Sequence, residues 1–201
     1  MMRKLLDIGL KQMDKILREM SETTIECLNA VEDLWKGKIN NMEEKSSKLR
    51  LLREELLDIG TELLVRYQPM ASDLRYIQAS IDVSYDLYRI SRYSMEIERT
   101  LKITGVDCEF GRAKETLKTV RDMVEKAVEA FMYKNEVLVG EVIKMDNDVD
   151  EAYINSLERL NQEMSKCTAI EALIIRHLER MSDHARSIAG EAAYVKSGKR
   201  V

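Results

Sequence analysis

Four carboxylates stand in two pairs one helical turn apart: Asp146 and Asp150 in KMDNDVDEAY, Glu179 and Asp183 in LERMSDHA. On a helix, an i, i+4 spacing puts both members of a pair on one face, where like charges repel by about a few tenths of a kcal/mol. Two such pairs gain from sharing a cation, and an oxygen-only ligand set suits magnesium, calcium or manganese, and also iron. A local alternative competes with this. Arg176 and Arg180 precede Glu179 and Asp183 by three residues, so both acids also fit an ordinary salt-bridged face.

Asp146 is the more informative acid. At 100° per residue it falls in the middle of a stripe formed by Val142, Val149, Tyr153, Leu157, Leu160 and Met164, with Asp150 at its edge. A carboxylate on a buried face must be protonated, paired or coordinated, because an isolated buried ion costs too much. The following apolar stripe runs Ile170, Ile174, His177 or Leu178, Met181, Ala185, Ile188, Ala192, Val195, and Glu179 and Asp183 flank it. His177 reads as a core histidine; His184 reads as structural, with a donor role beside Asp183 as the alternative.

Other chemistries lack their residues. There is no G-x-S-x-G elbow and no phosphate-cradling glycine loop. Neither histidine has a glutamate three residues before it, which disfavours a ferritin-like di-metal site. The twelve methionines are scattered and read as core filler.

The elements that must position these residues are helices. Of 201 residues, 45% are apolar, 34% charged and only 5% aromatic, with a single proline, a composition near the all-helical corner. The net charge of −4 is small beside 32 basic and 36 acidic groups, so nucleic acid is not an expected partner. Cys27, Cys108 and Cys167 lie far apart without CxxC spacing; they read as small apolar residues in a reducing cytosol, not as a zinc site or a disulfide. No signal peptide or membrane-spanning helix is expected.

Apolar residues recur every three or four positions almost throughout. Five breaks interrupt them: WKGK at Gly37, YQPMASD at Pro69, TGVDCEFG from Thr104, KNEVLVG near Gly140, and MSKCT before Thr168. They predict six long helices of roughly 25 to 30 residues. Thr168 and Glu171 in T-A-I-E have capping-box spacing, so the last helix is expected to start at about Thr168. An internal repeat is also visible. YDLYRISRYSMEIE aligns with IRHLERMSDHARSIA at an offset of 91 residues, pairing Arg89 with Arg180; earlier helices align near 100, pairing Leu49 with Val149 and Leu57 with Leu157. The expected fold is all-α: two antiparallel three-helix bundles related by a pseudo-twofold repeat, in segments 1–104 and 110–201.

LERMSDHARSIAGEAAYVKSG closely resembles the second signature of the PhoU family, and RYQPMASDLRYIQASIDVSYDLYRI resembles the first; DNDVDEAY resembles its D-x-x-x-D-x-x-Y segment. The resemblance spans essentially the whole chain in the right order. It implies two three-helix bundles, with acidic E/D-x-x-x-D pairs on the last two helices of each binding a metal cluster. Carried over, the metal residues are Asp146, Asp150, Glu179 and Asp183; the ion is left open among iron, zinc, magnesium and manganese. The resemblance further implies a cytoplasmic, non-enzymatic regulator of phosphate uptake. Such a regulator contacts a membrane phosphate transporter peripherally and, in many bacteria, a sensor kinase. A homo-oligomer would cover the wide faces of long helices. The alternatives are a metal-free helical adaptor and a metal-dependent phosphohydrolase.

The first half departs from the family pattern. At the repeat offsets, Asp146 and Asp150 correspond to Ser46 and Arg50, and Glu179 and Asp183 to Tyr88 and Arg92. Arginine carries a fixed positive charge that repels a cation. At most one metal site is expected, in the second bundle, with the first bundle structural or an interaction surface.

Overall fold

The computed structural model describes residues 2–38 and 41–199. Among them are six helices and no strand: α1 (Met2–Leu34), α2 (Met42–Tyr67), α3 (Ser72–Thr104), α4 (Gly111–Tyr133), α5 (Glu136–Gln162) and α6 (Lys166–Ser197). Each forms because its apolar residues return every three or four positions to one side; in α1 the buried line runs Leu6, Met13, Leu17, Met20, Cys27, Val31. The ends follow from local chemistry. Gly105 takes the left-handed conformation (φ 54°) that few other residues tolerate and closes α3 by donating its N–H to the Leu101 carbonyl at 3.0 Å. Gln68 closes α2 in the same way, and Pro69 directly after it cannot continue the helix.

Two boundaries differ from the sequence reading. The break before α5 falls at Lys134 and Asn135, the first two residues of the KNEVLVG stretch, while Gly140 at its other end lies inside the helix. Asn135 accepts from the Val137 N–H at 3.1 Å, and this side-chain cap outweighs the weak signal of an isolated glycine. The last helix starts at Lys166 because the capping box is made by Ser165 and Thr168, three residues upstream of the expected pair. Glu171 is therefore free for another task. Its Oε1 accepts from the backbone N–H groups of Arg112 and Ala113 at 3.1 and 3.4 Å, supplying from α6 the cap that Phe110 cannot give α4. Arg159 of α5 donates to its other oxygen at 3.1 Å.

Helices α1, α2 and α3 pack together, as do α4, α5 and α6; α3 against α6 and α1 against α4 join the two bundles. One apolar cluster runs through both. The α1–α4 contact carries Arg121, whose Nη2 donates to Glu32 at 2.6 Å.

The cysteine reading holds for one residue of three. Cys27 is fully buried, and burial pushes its thiol up to about 12. Cys108 and Cys167, however, form a disulfide. The antiparallel second bundle brings the α3–α4 linker and the α5–α6 turn to one end, with Cα atoms 5.9 Å apart across 59 residues of sequence. No local spacing could announce that pairing. A loop of this length constrains the unfolded chain by up to about 4 kcal/mol. We therefore expect oxidised protein to lose several degrees of melting temperature on treatment with a dithiol reductant, and Cys108→Ser to melt with the reduced parent. Identical melting of oxidised and reduced protein would refute a stabilising bridge.

Candidate functional site

Asp146 is only 2% exposed, midway along α5, as its place in the apolar stripe requires. The stripe itself bends away from the expected line beyond that point. Val142 and Val149 are buried, but the line continues to Ser156, leaving Leu157 at 42% and Met164 at 79% exposed. A buried carboxylate demands partners, and Asp146 has two from α6. Ser182 Oγ donates to Oδ1 at 2.6 Å and Arg186 Nη1 donates to Oδ2 at 3.2 Å. Ser182 and Arg186 were not singled out by sequence; spacing from a known acid on another helix carries no signal for either.

The other three predicted residues lie around this pair with unequal support. Glu179 accepts from Arg176 Nη1, and Asp183 accepts from Arg180 Nη1 at 3.0 Å. Both are the i−3 pairings of the salt-bridged alternative. Asp150 makes no hydrogen bond or ion pair among the described residues. Burial, then the charges of Asp146 and Asp183, hold its carboxyl above the usual aspartate range. Burial and then Asp183 likewise raise Glu179. The four acids thus share one electrostatic neighbourhood between α5 and α6, and arginines supply its counter-charge.

For a cation, the donor set is right in kind: oxygen ligands, repelling one another. Its arrangement is not a cage. Among the described residues no three acidic, histidine or cysteine side chains converge on a shared point.

The first bundle repeats this architecture with different chemistry. Ser91 Oγ, whose own proton goes to the Tyr88 carbonyl, accepts from Ser46 Oγ at 3.1 Å, the counterpart of Ser182 and Asp146 at the repeat offsets. Arg53 lies over the Tyr85 ring at 5.4 Å, where the second bundle sets Arg176 over Tyr153 at 5.0 Å with donor and ring exchanged between helices. At the α3–α6 seam, His184 Nδ1 lies 2.7 Å from Asp86 Oδ1, which accepts a hydrogen bond from it when that nitrogen carries the hydrogen. Its counterpart is His177, tilted against Tyr93 at 6.0 Å, with burial lowering the imidazole pKa. Neither histidine touches the four acids; both are seam residues.

Similarity to known proteins extends over the whole chain. Residues 10–100 and 114–192 each match the PhoU domain model. The chain is 28% identical over 199 residues to the phosphate-specific transport system accessory protein PhoU homolog 1 of Thermotoga maritima, covering 92% of this chain and 84% of that protein. It is 30% identical over 141 residues to the PhoU homolog of Archaeoglobus fulgidus, covering 70% and 67%. The crystal structure of PhoU from Pseudomonas aeruginosa superposes with a TM-score of 0.77 over 98% of both chains at 23% identity.

The raised Asp150 carboxyl makes a signed prediction. A carboxyl whose folded pKa exceeds its unfolded value binds more protons folded than unfolded, so it weakens the fold as pH rises between the two. Asp150→Asn removes the partly buried charge and its repulsion by Asp146 and Asp183. It is expected to stabilise the protein by about 0.3–1 kcal/mol at neutral pH, with the gain vanishing below the ordinary value of 3.8, where the parent carboxyl is neutral too. Thermal melts across pH decide it; a gain that persists in acid would assign the effect to packing.

Proposed function

Since this chain belongs to the PhoU family, we propose that it is a cytoplasmic regulator of phosphate uptake that acts by protein contact on a membrane phosphate transporter and on a sensor kinase where one is present. Membership across both halves of the chain is the observation that carries this reading. No helix among the described residues is long and apolar enough to cross a membrane, which accords with peripheral contact. Long, rigid helices joined by short turns offer surfaces for such contact, and no step of chemistry is required of them.

A carboxylate metal site formed by Asp146, Asp150, Glu179 and Asp183 belongs to the same proposal. What supports it is that burial, and then mutual repulsion, raises Asp150 and Glu179, a penalty on their charge that a cation would relieve. Against it stand the arginines. Arg186 would have to leave Asp146, and Arg176 leave Glu179; the Arg186 side chain, at 59% exposure, is free to swing outward. The regulatory reading does not pass through the metal.

Two experiments separate the parts. Elemental analysis of protein purified without chelator should find metal in the parent and lose it in Asp146→Asn and Glu179→Gln. A metal-free parent would remove the cation and leave a regulator working through helix surfaces. Deleting the gene should leave phosphate uptake unrestrained in phosphate-rich medium, with the intact chain restoring restraint; unchanged uptake would overturn the regulatory reading itself.

A further inference from the structure

The α2–α3 face of the first bundle carries arginines that the structure leaves without acids. Arg53, Arg89 and Arg92 have no carboxylate partner among the described residues. Arg53 rests on the Tyr85 ring, with its Nε buried and unbonded. Arg89 Nη2 donates to the Tyr93 hydroxyl at 2.9 Å and lies over that ring at 5.0 Å. Arg92 Nη1 reaches only the Met95 sulfur, at 3.6 Å. A guanidinium has five N–H donors and cannot lose its charge. Aromatic faces, a phenol and a thioether satisfy few of those donors and neutralise none of the charge.

These groups are placed together. On α3, Tyr85, Tyr88, Arg89 and Arg92 fall within one sector of about 100°, and Arg53 joins from α2 through Tyr85. Arg50, one turn before Arg53, is paired with Glu54 at 2.7 Å. At its far end Arg92 opens onto a groove of about 610 Å³. Of the acids there, Glu96 is held by Arg99 at 3.7 Å and Glu98 by Lys102 at 3.0 Å. Only Glu43 has no such partner; the groove balances three basic residues against three acids, and Arg53 and Arg89 beside it make the face net basic.

We propose that this face binds a phosphate-type oxyanion. Guanidinium forks match the paired oxygens of phosphate, and several uncompensated arginines suit a multiply charged anion better than a single carboxylate. Tyr85 and Arg92 are seven residues apart, about 10 Å along the helix. That length lets pyrophosphate bridge arginines that orthophosphate reaches only in part, so pyrophosphate binds more tightly. Free phosphates and the phosphate headgroup of a lipid share this chemistry. The inference rests on the arginines alone and stands whether or not the chain regulates uptake.

The test is calorimetric titration of the full chain with inorganic phosphate and pyrophosphate at ionic strength held constant with chloride, beside flotation with phosphatidylglycerol vesicles. Expected is saturable pyrophosphate binding with a Kd below about 1 mM, tighter than orthophosphate. Arg53→Gln and Arg92→Gln should each weaken it by about tenfold, so that one variant suffices if the other fails to fold. Arg66→Gln, whose arginine is paired with Glu62 at 3.0 Å, should bind as the parent does. Vesicle binding lost in the same two variants, without response to the free anions, would assign the site to a headgroup. No binding to any probe, or equal weakening in Arg66→Gln, would overturn it.

Discussion

Everything else in this molecule is arranged around the contact between α3 and α6. These two helices carry twelve and fifteen buried residues, against six and five for α2 and α5, so they present more of their surface to other helices than α2 and α5 do. The buried faces of helices are ordinarily apolar. These are not: Ser84, Ser91 and Ser94 on α3 and Ser182 on α6 lie inside. The α3 serines return their hydroxyls to carbonyls of their own helix, at 2.7, 2.7 and 3.2 Å. That leaves no unmade bond at those positions and keeps the side chains small where the inner helices meet the outer ones, Ser91 against Ser46 of α2 and Ser182 against Asp146 of α5. The seam itself carries directional contacts: Asp86 with His184, Arg75 Nε donating to the Val195 carbonyl at 3.3 Å, and the Tyr194 hydroxyl donating to Gln78 at 3.1 Å; together they fix the register between the bundles.

The repeat preserves positions more faithfully than residues. Serine stands on the inner helix of both bundles and finds a polar partner on the outer one, Ser46 in the first and Asp146 in the second. The arginine-on-tyrosine contact survives with the two residues exchanged between helices, because a cation over a ring needs only the pair, not its order. Leu57 and Leu157, equivalent in the repeat, are exposed to similar extents. The pseudo-twofold relation is therefore kept by packing geometry, while the charges laid over it are free to diverge.

Much of this was legible in the chain, for physical reasons. Helix count and type follow from apolar periodicity, and the buried place of Asp146 follows from 100° per residue. Glycine and proline marked the breaks at Gly105 and Pro69 because each acts on the backbone locally. What escaped was whatever depends on two distant segments meeting. Glu171 has the spacing of a local capping box yet caps α4, because Ser165 already serves α6 and because α4 begins with Phe110, which has no cap of its own. Cys108 and Cys167 pair only because two turns share one end of a bundle. Arg186 reaches Asp146 across helices, and no pattern within α6 distinguishes it from a solvated arginine.

The opposed faces of the two bundles trace to very few substitutions. Arg180 of α6 is neutralised by Asp183, three residues on. Its repeat equivalent, Arg89, has at the corresponding place Arg92 instead of an acid. That exchange acts twice, removing Arg89's counter-ion and adding a second cation beside it. With Arg50 where the second bundle has Asp150, four carboxylates give way to two guanidiniums, a serine and a tyrosine on an unchanged backbone plan. Carboxylates crowded in this way are met by nearby arginines at Asp146, Glu179 and Asp183. On the α2–α3 face of the first bundle Arg50 is paired with Glu54, but Arg53 and Arg89 are met by ring faces, which attract a cation without cancelling its charge, and Arg92 by a sulfur. The second bundle thus meets three of its four acids with arginines and leaves Asp150 alone among the described residues; the first leaves Arg53, Arg89 and Arg92 without a carboxylate, facing whatever anion can reach them.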